Sequence, residues 1–247
     1  LVGVGAIAQM GTDGAYVVHL VTALAALAIL AVFVRQGEVA EGSHDGGHAN
    51  LVGVLRANGG VFLTAGVGVV AIQVLRAARQ VVLPLWAVHI GLDASEVSLI
   101  FGISVGMEML LFYPAGSVMD RMGRKWVALP CLGIMSVGML LIPVSQGFLG
   151  LALVGIFVGF GNGLGSGIVM TLGADFSPAR GRAQFLGAWR FVGDLGTAGG
   201  PLVVAGATAV AGLAAASLLM GTLGVAGAAM IAFRMPEPLK GGGWRRR

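Results

Sequence analysis

Charge is what this chain has least of. Asp, Glu, Lys and Arg make up 11% of its 247 residues, against about a quarter in an ordinary soluble domain. With 57% hydrophobic residues and a mean hydropathy of +0.92, that scarcity excludes both a soluble globular domain and a disordered chain. Cysteine is nearly absent too: Cys131 stands alone, which excludes an intrachain disulfide and a cysteine metal cluster and leaves the redox compartment unread. Neither G-x-G-x-x-G nor a Walker lysine occurs, so no phosphate cradle is expected. The polar–apolar alternation of transmembrane strands is missing as well.

What is present is a series of long apolar runs. A bilayer-crossing helix needs roughly 20 mostly apolar residues, and runs of that kind fall at 14–34, 59–88, 95–119, 126–145, 148–172, 184–207 and 210–233. An all-α membrane protein is expected, a polytopic helical bundle of seven full spans. "LVGVGAIAQM" reads as the end of an earlier apolar helix, so the chain is expected to be a fragment. The pI near 10 does not signal nucleic acid, because the basic residues form no soluble face with interleaved aromatics. They fall on one side of the alternating loops: Arg35, Arg56, Arg121, Arg124, Lys125, Arg180, Arg182, Arg234, Lys240 and Arg245 to Arg247. The opposite loops hold Asp13, Asp93 and Glu96 and no Lys or Arg. By the positive-inside rule the basic side, with the C-terminus, is expected to be cytoplasmic, in the inner (plasma) membrane of a bacterium.

The expected organisation is the end of one helical group (1–34), a Gly-rich loop of mixed charge (35–58), a six-helix group (59–234) and a basic tail (235–247). Within the loop His44, Asp45 and His48 have a metal-like spacing, but Gly46 and Gly47 argue for a solvated linker. The closing "WRRR" reads as an interfacial anchor for anionic lipid. Spans 126–145 and 210–233 hold no ionisable residue except Cys131 and so can face lipid. Arg76, Arg79, Glu108, Arg190 and Asp194 lie inside other spans. Charge at membrane depth is costly unless it faces a bundle interior or water, so these residues are expected to turn inward, with Arg76, Glu108 and Asp194 at similar depth around one cavity.

The densest charge is in "GSVMDRMGRK" (116–125), a tight turn between two spans. There Gly116 and Gly123 permit close approach or a positive φ, and Asp120 can accept from an arginine or a helix N-terminus. With Gly116, Asp120, Arg121, Gly123, Arg124 and Lys125 in place, this stretch resembles the loop signature G-x-L-a-D-r-x-G-r-k of the major facilitator superfamily, Val118 and Met119 departing from the usual Leu and Ala. In that family the motif joins the second and third helices of each six-helix half, and here it joins the second and third spans after the loop. "DFSPARGRAQFLGAWRFVGDLGTAGGPLVVAG" (175–206) also looks like the family's cytoplasmic loop into its eleventh helix. The resemblance covers nearly the whole chain. It implies helix six at 14–34, helices seven to twelve at 59–233, most of an N-terminal half missing, and a 116–125 loop that helps gate the two halves.

The resemblance further implies secondary active transport of a small solute by alternating access, coupled to protons or another ion gradient, with drug or metabolite efflux favoured over uptake. No cofactor is expected; the partners are a solute, protons and membrane lipid. Candidate residues for solute or proton coupling are Gln73, Arg76, Arg79, Gln80, Glu108, Asn162, Arg190 and Asp194. Gln73, Arg76 and Gln80 share one helical stripe. Glu108 has no counter-charge four residues away, so Arg76 or Arg79 either sets when it binds a proton or simply fastens two helices to it. Arg190 and Asp194, four apart, either neutralise each other or take part in function. "GFGNGLGSG" (159–167) reads as small-residue helix packing at Gly159, Gly163 and Gly167. "GISVG" (102–106) matches G-x-S-x-G, but Ser104 sits inside an apolar helix without the strand-to-helix elbow that catalysis needs. A non-transporting scaffold, sensor or remnant of the same fold is the rival expectation.

Overall fold

The computed structural model describes residues 12–33 and 51–235. The expected partial helix before residue 11, Arg35, most of the central loop with His44, Asp45 and His48, and the tail with Lys240 and Arg245 to Arg247 lie outside these residues. The chain divides into two units, Leu1–Gly47 and His48–Arg247. The described part of the first is one 22-residue helix, α1 (Thr12–Phe33), whose Leu20, Leu24 and Leu27 are exposed as suits a lipid-facing surface.

The described residues of the second unit form helices joined by short turns. A short helix, α2 (Leu51–Ala57), occupies what the sequence suggested was the end of the linker; its apolar stretch ends where Asn58 Nδ2 donates to Val54 O at 2.8 Å. Then come α3 (Gly59–His89), α4 (Ala94–Leu110), α5 (Phe112–Met122), α6 (Lys125–Leu141), α7 (Gly147–Leu164), α8 (Ile168–Phe176) and α9 (Arg182–Arg234). α4 and α5 form one span bent at Leu111, and α7 and α8 form one span broken before Gly167, where φ is +79°. α4 starts with a reciprocal cap: Asp93 Oδ1 accepts from Glu96 N at 2.8 Å and Glu96 Oε2 from Asp93 N at 3.0 Å, satisfying helix-end donors that would otherwise be orphaned.

α9 counts 53 residues, more than a bilayer needs, and its one non-helical residue is Gly212 (φ 86°, ψ 168°). The packing shows that the chain reverses there. Gly196 sits against Val70 and Gln73, and Gly200 against Val74 and Ala78, so residues 182–211 run parallel to α3. Gly224 sits against Leu75, Gly227 against Ala71 and Ile231 against Gly68, so residues 213–234 run antiparallel to it. Six antiparallel-connected spans result, and the last turn falls at 212 rather than at 208–209, because only glycine takes that φ without strain.

Most of the uncharged span 126–145 packs into the bundle: Leu132, Met135 and Met139 on α6 are fully buried, and Ser217 Oγ donates to Met139 O at 2.6 Å from α9, while Trp126, Val137 and Leu141 are left exposed. Its lack of charge suits both surfaces, since an apolar interior and lipid each penalise an unpaired charge. The span that carries Glu108 is instead peripheral, with Met109, Leu110 and Tyr113 exposed. An isolated carboxylate on a peripheral helix is tolerated only on its inward face.

Candidate functional site

α3 and α4 meet at an ion pair well inside both spans. Arg79 Nη2 lies 3.1 Å from Glu108 Oε2, with the two side chains 3% and 21% exposed. Arg79 Nη1 donates to Ser104 Oγ at 3.4 Å, one turn before Glu108 on the same helix. Ser104 is thus the buried partner of an arginine within a regular helix, without the geometry of a nucleophile elbow. The close approach of α7 behind α4 explains the enclosure. A Cβ on Gly159 would strike Ser104 O, and one on Gly163 would lie 2.8 Å from Glu108 O. Gly155 faces Ile100 one turn earlier, so the packing stripe is 155–159–163. Gly167, expected as its third member, meets open space and breaks the helix instead.

Arg76, one turn before Arg79, reaches toward α7. Its Nη2 donates to Asn162 O at 3.4 Å, and a Cβ at Gly165 would collide with both Arg76 Nη2 and Cys131 Sγ. Arg76, Cys131, Asn162 and Gly165 are therefore neighbours. Gln73, the next residue of the stripe, donates through Nε2 to Thr197 Oγ1 of α9 at 3.2 Å. Gln80 is exposed. On α9, Arg190 Nε donates to Asp194 Oδ1 at 3.2 Å with both side chains more than half exposed. So the structure joins Arg79 to Glu108, Arg76 to Asn162 and Arg190 to Asp194. It does not bring Asp194 to Glu108.

The 116–125 turn is held by Arg124. Its Nε donates to Asp175 Oδ2 at 2.7 Å, and its Nη1 to Met119 O at 2.6 Å and to Asp120 Oδ1 at 3.1 Å. Burial works against the guanidinium's charge, but the bonds to Asp175 and Asp120 outweigh it and hold Arg124 above its ordinary range. Gly123 takes φ +116°, whereas Gly116 faces open space. Arg121 is exposed. Lys125 Nζ donates to Ala232 O at 3.2 Å, tying the turn to the end of α9. Among the described residues no cluster of three His, Cys, Asp or Glu could hold a metal.

Sequence reasoning did not single out Asp175, Thr197 or Cys131 as site residues. Asp175 opens the stretch compared with the eleventh-helix loop, and its acidity beside a basic turn is the one signal that pointed to it.

Over residues 65–246 the chain matches the family model described as Major Facilitator Superfamily. The chain belongs to that superfamily. Members are transporters, so this is an integral multi-pass membrane transporter whose match runs from within α3 through all six spans. No curated protein matches it significantly. For a major facilitator, exposed polar side chains on α3 and α9 at membrane depth suit a face turned to water or protein, since lipid would penalise them.

Proposed function

We propose that the protein moves a small solute by alternating access, with proton binding at Glu108 coupled to solute binding at α3, and with the basic end of the bundle in the cytoplasm. The Arg79–Glu108 pair carries the reading: two opposite charges are held between helices α3 and α4 at membrane depth. Protonation of Glu108 would cancel its attraction for Arg79 and change the net charge of the site, which Arg76 and Arg79 share. Such a pair is a two-state element only if the helices separate when it breaks. In this reading α4 and α7, packed along 155–159–163, move as a unit against α3. In the same reading, Arg124, Asp120 and Asp175 latch the basic end in one access state. Outward transport is favoured by the resemblance to the drug-efflux-like branch of the superfamily.

The test uses full-length protein in proteoliposomes with radiolabelled lactate, succinate, inorganic phosphate, glucose 6-phosphate, glucose and tetraphenylphosphonium. Wild type should concentrate at least one of them under an imposed pH gradient. Glu108→Gln should lose that accumulation yet keep solute exchange without a gradient. Loss of both with the fold intact would make the pair a fastener, and loss of neither would remove Glu108 from coupling.

A further inference from the structure

We propose that Arg76 and Asn162 form the seat for an oxyanion, so that the solute carried by this protein bears a carboxylate or phosphate group; this rests on the transport reading above. The Arg79 charge is matched by Glu108, but Arg76 has no carboxylate within ion-pairing distance among the described residues. Arg76 Nη2 makes only a long contact, 3.4 Å, to the backbone carbonyl of Asn162 and lies beside the Cys131 thiol, while its buried Nε, like that of Arg79, has no partner. Beside it Asn162 is 4% exposed, and its buried Oδ1 accepts from nothing. Arg76, Arg79 and Glu108 together leave one positive charge uncompensated. A charge at this depth is costly unless something pairs with it, and buried polar atoms without partners are rare enough to call for a cause.

Gly165, having no side chain, lets α7 come up against Arg76 Nη2 and Cys131 Sγ, and the helix is interrupted from Gly165 to Gly167, between α7 and α8. A guanidinium is a planar fork of donors that fits a carboxylate or phosphate. The Asn162 amide either donates to the same oxyanion or accepts from a hydroxyl on the solute, since its two ends exchange by a flip. Lipid headgroups offer the same oxyanion, but they lie at the membrane surface and Arg76 lies well inside α3.

The experiment measures melting of detergent-purified full-length protein with added lactate, succinate, inorganic phosphate, glucose 6-phosphate, glucose or tetraphenylphosphonium, and separately with phosphatidylglycerol. At least one soluble oxyanion should raise the melting temperature of wild type, and its apparent affinity should fall about ten- to a hundred-fold in Arg76→Gln, as for loss of a charged hydrogen bond. Arg76→Lys should recover part of that loss, and Asn162→Ala should weaken binding while sparing the fold. Without ligand, Arg76→Gln should melt at or above wild type, because an unmatched charge has been removed. Destabilised unliganded Arg76→Gln would overturn the proposal by showing that Arg76 is paired within the protein. So would a response to glucose or tetraphenylphosphonium alone, or to phosphatidylglycerol alone. Oxyanion binding without any transport would sink the transport reading instead, and gradient-driven transport of a neutral or cationic solute would sink only this inference.

Discussion

Arg124 shows how much of a site one side chain organises. Its guanidinium joins the end of α5, the turn and the end of α8 through Met119 O, Asp120 and Asp175. Asp175 is 27% exposed and Asp120 76% exposed, so the two carboxylates contribute unequally. Asp175→Asn should lower thermal stability more than Asp120→Asn, by about 1–3 kcal/mol against under about 1 kcal/mol for the exposed pair; differential scanning fluorimetry of the two variants checks the order. Asp120→Asn should still slow transport more than it lowers expression, and unchanged kinetics would remove its gating role. At this scale the sequence was legible where partners are close: Asp120 and Arg124 are four apart, and the motif's letters place them. Asp175 is 51 residues from Arg124, and only the packing of α8 against the turn brings them together. The same limit left Arg76 and Arg79 as equal candidates for Glu108, since both lie near the middle of one helix and only the rotation of α3 chooses Arg79.

Helices meet here through glycine rather than through large side chains. Along α4 and α7 the contacts at Gly155, Gly159 and Gly163 bring backbones close enough that a Cβ at Gly159 or Gly163 would overlap α4, the geometry that holds membrane helices together without a hydrophobic drive. Gly159→Leu should therefore abolish monodisperse expression, read by fluorescence-detected size exclusion. Gly102→Ala, where nothing lies within 4 Å of the added Cβ, should leave the profile unchanged. The period of the small residues was legible in the sequence, but its phase was not. Gly167 fits the spacing and instead takes a positive φ, because composition alone does not distinguish a packing glycine from a helix-breaking one. A similar ambiguity put the last turn near 208–209, since the residues around Gly212 are uniformly small and apolar and mark no boundary.

For the whole molecule, the alternation of six spans puts Arg121, Arg124, Lys125, Arg180, Arg182 and Arg234 at one end and Asp93 and Glu96 at the other. The loop charges were enough to anticipate this, because topology depends on counts rather than contacts. In a Cys131→Ala background, Asp93→Cys should react with an impermeant maleimide added outside intact cells, and Ser177→Cys should react only after permeabilisation. Equal labelling from outside would reject the cytoplasmic assignment of the basic end. Which face of α6 is buried was not legible, since an apolar interior and a lipid face are written in the same residues. In the proposed mechanism coupling is also a property of the whole bundle, with the charge on Glu108 as its central element. Infrared difference spectroscopy of the reconstituted full-length protein, recorded between neutral and acidic pH with and without bound solute, reads that charge directly. The account predicts a protonated-carboxyl band that appears on acidification, shifts or vanishes when solute binds, and is absent from Glu108→Gln; a Glu108 that stays ionised beside Arg79 under every condition would contradict it.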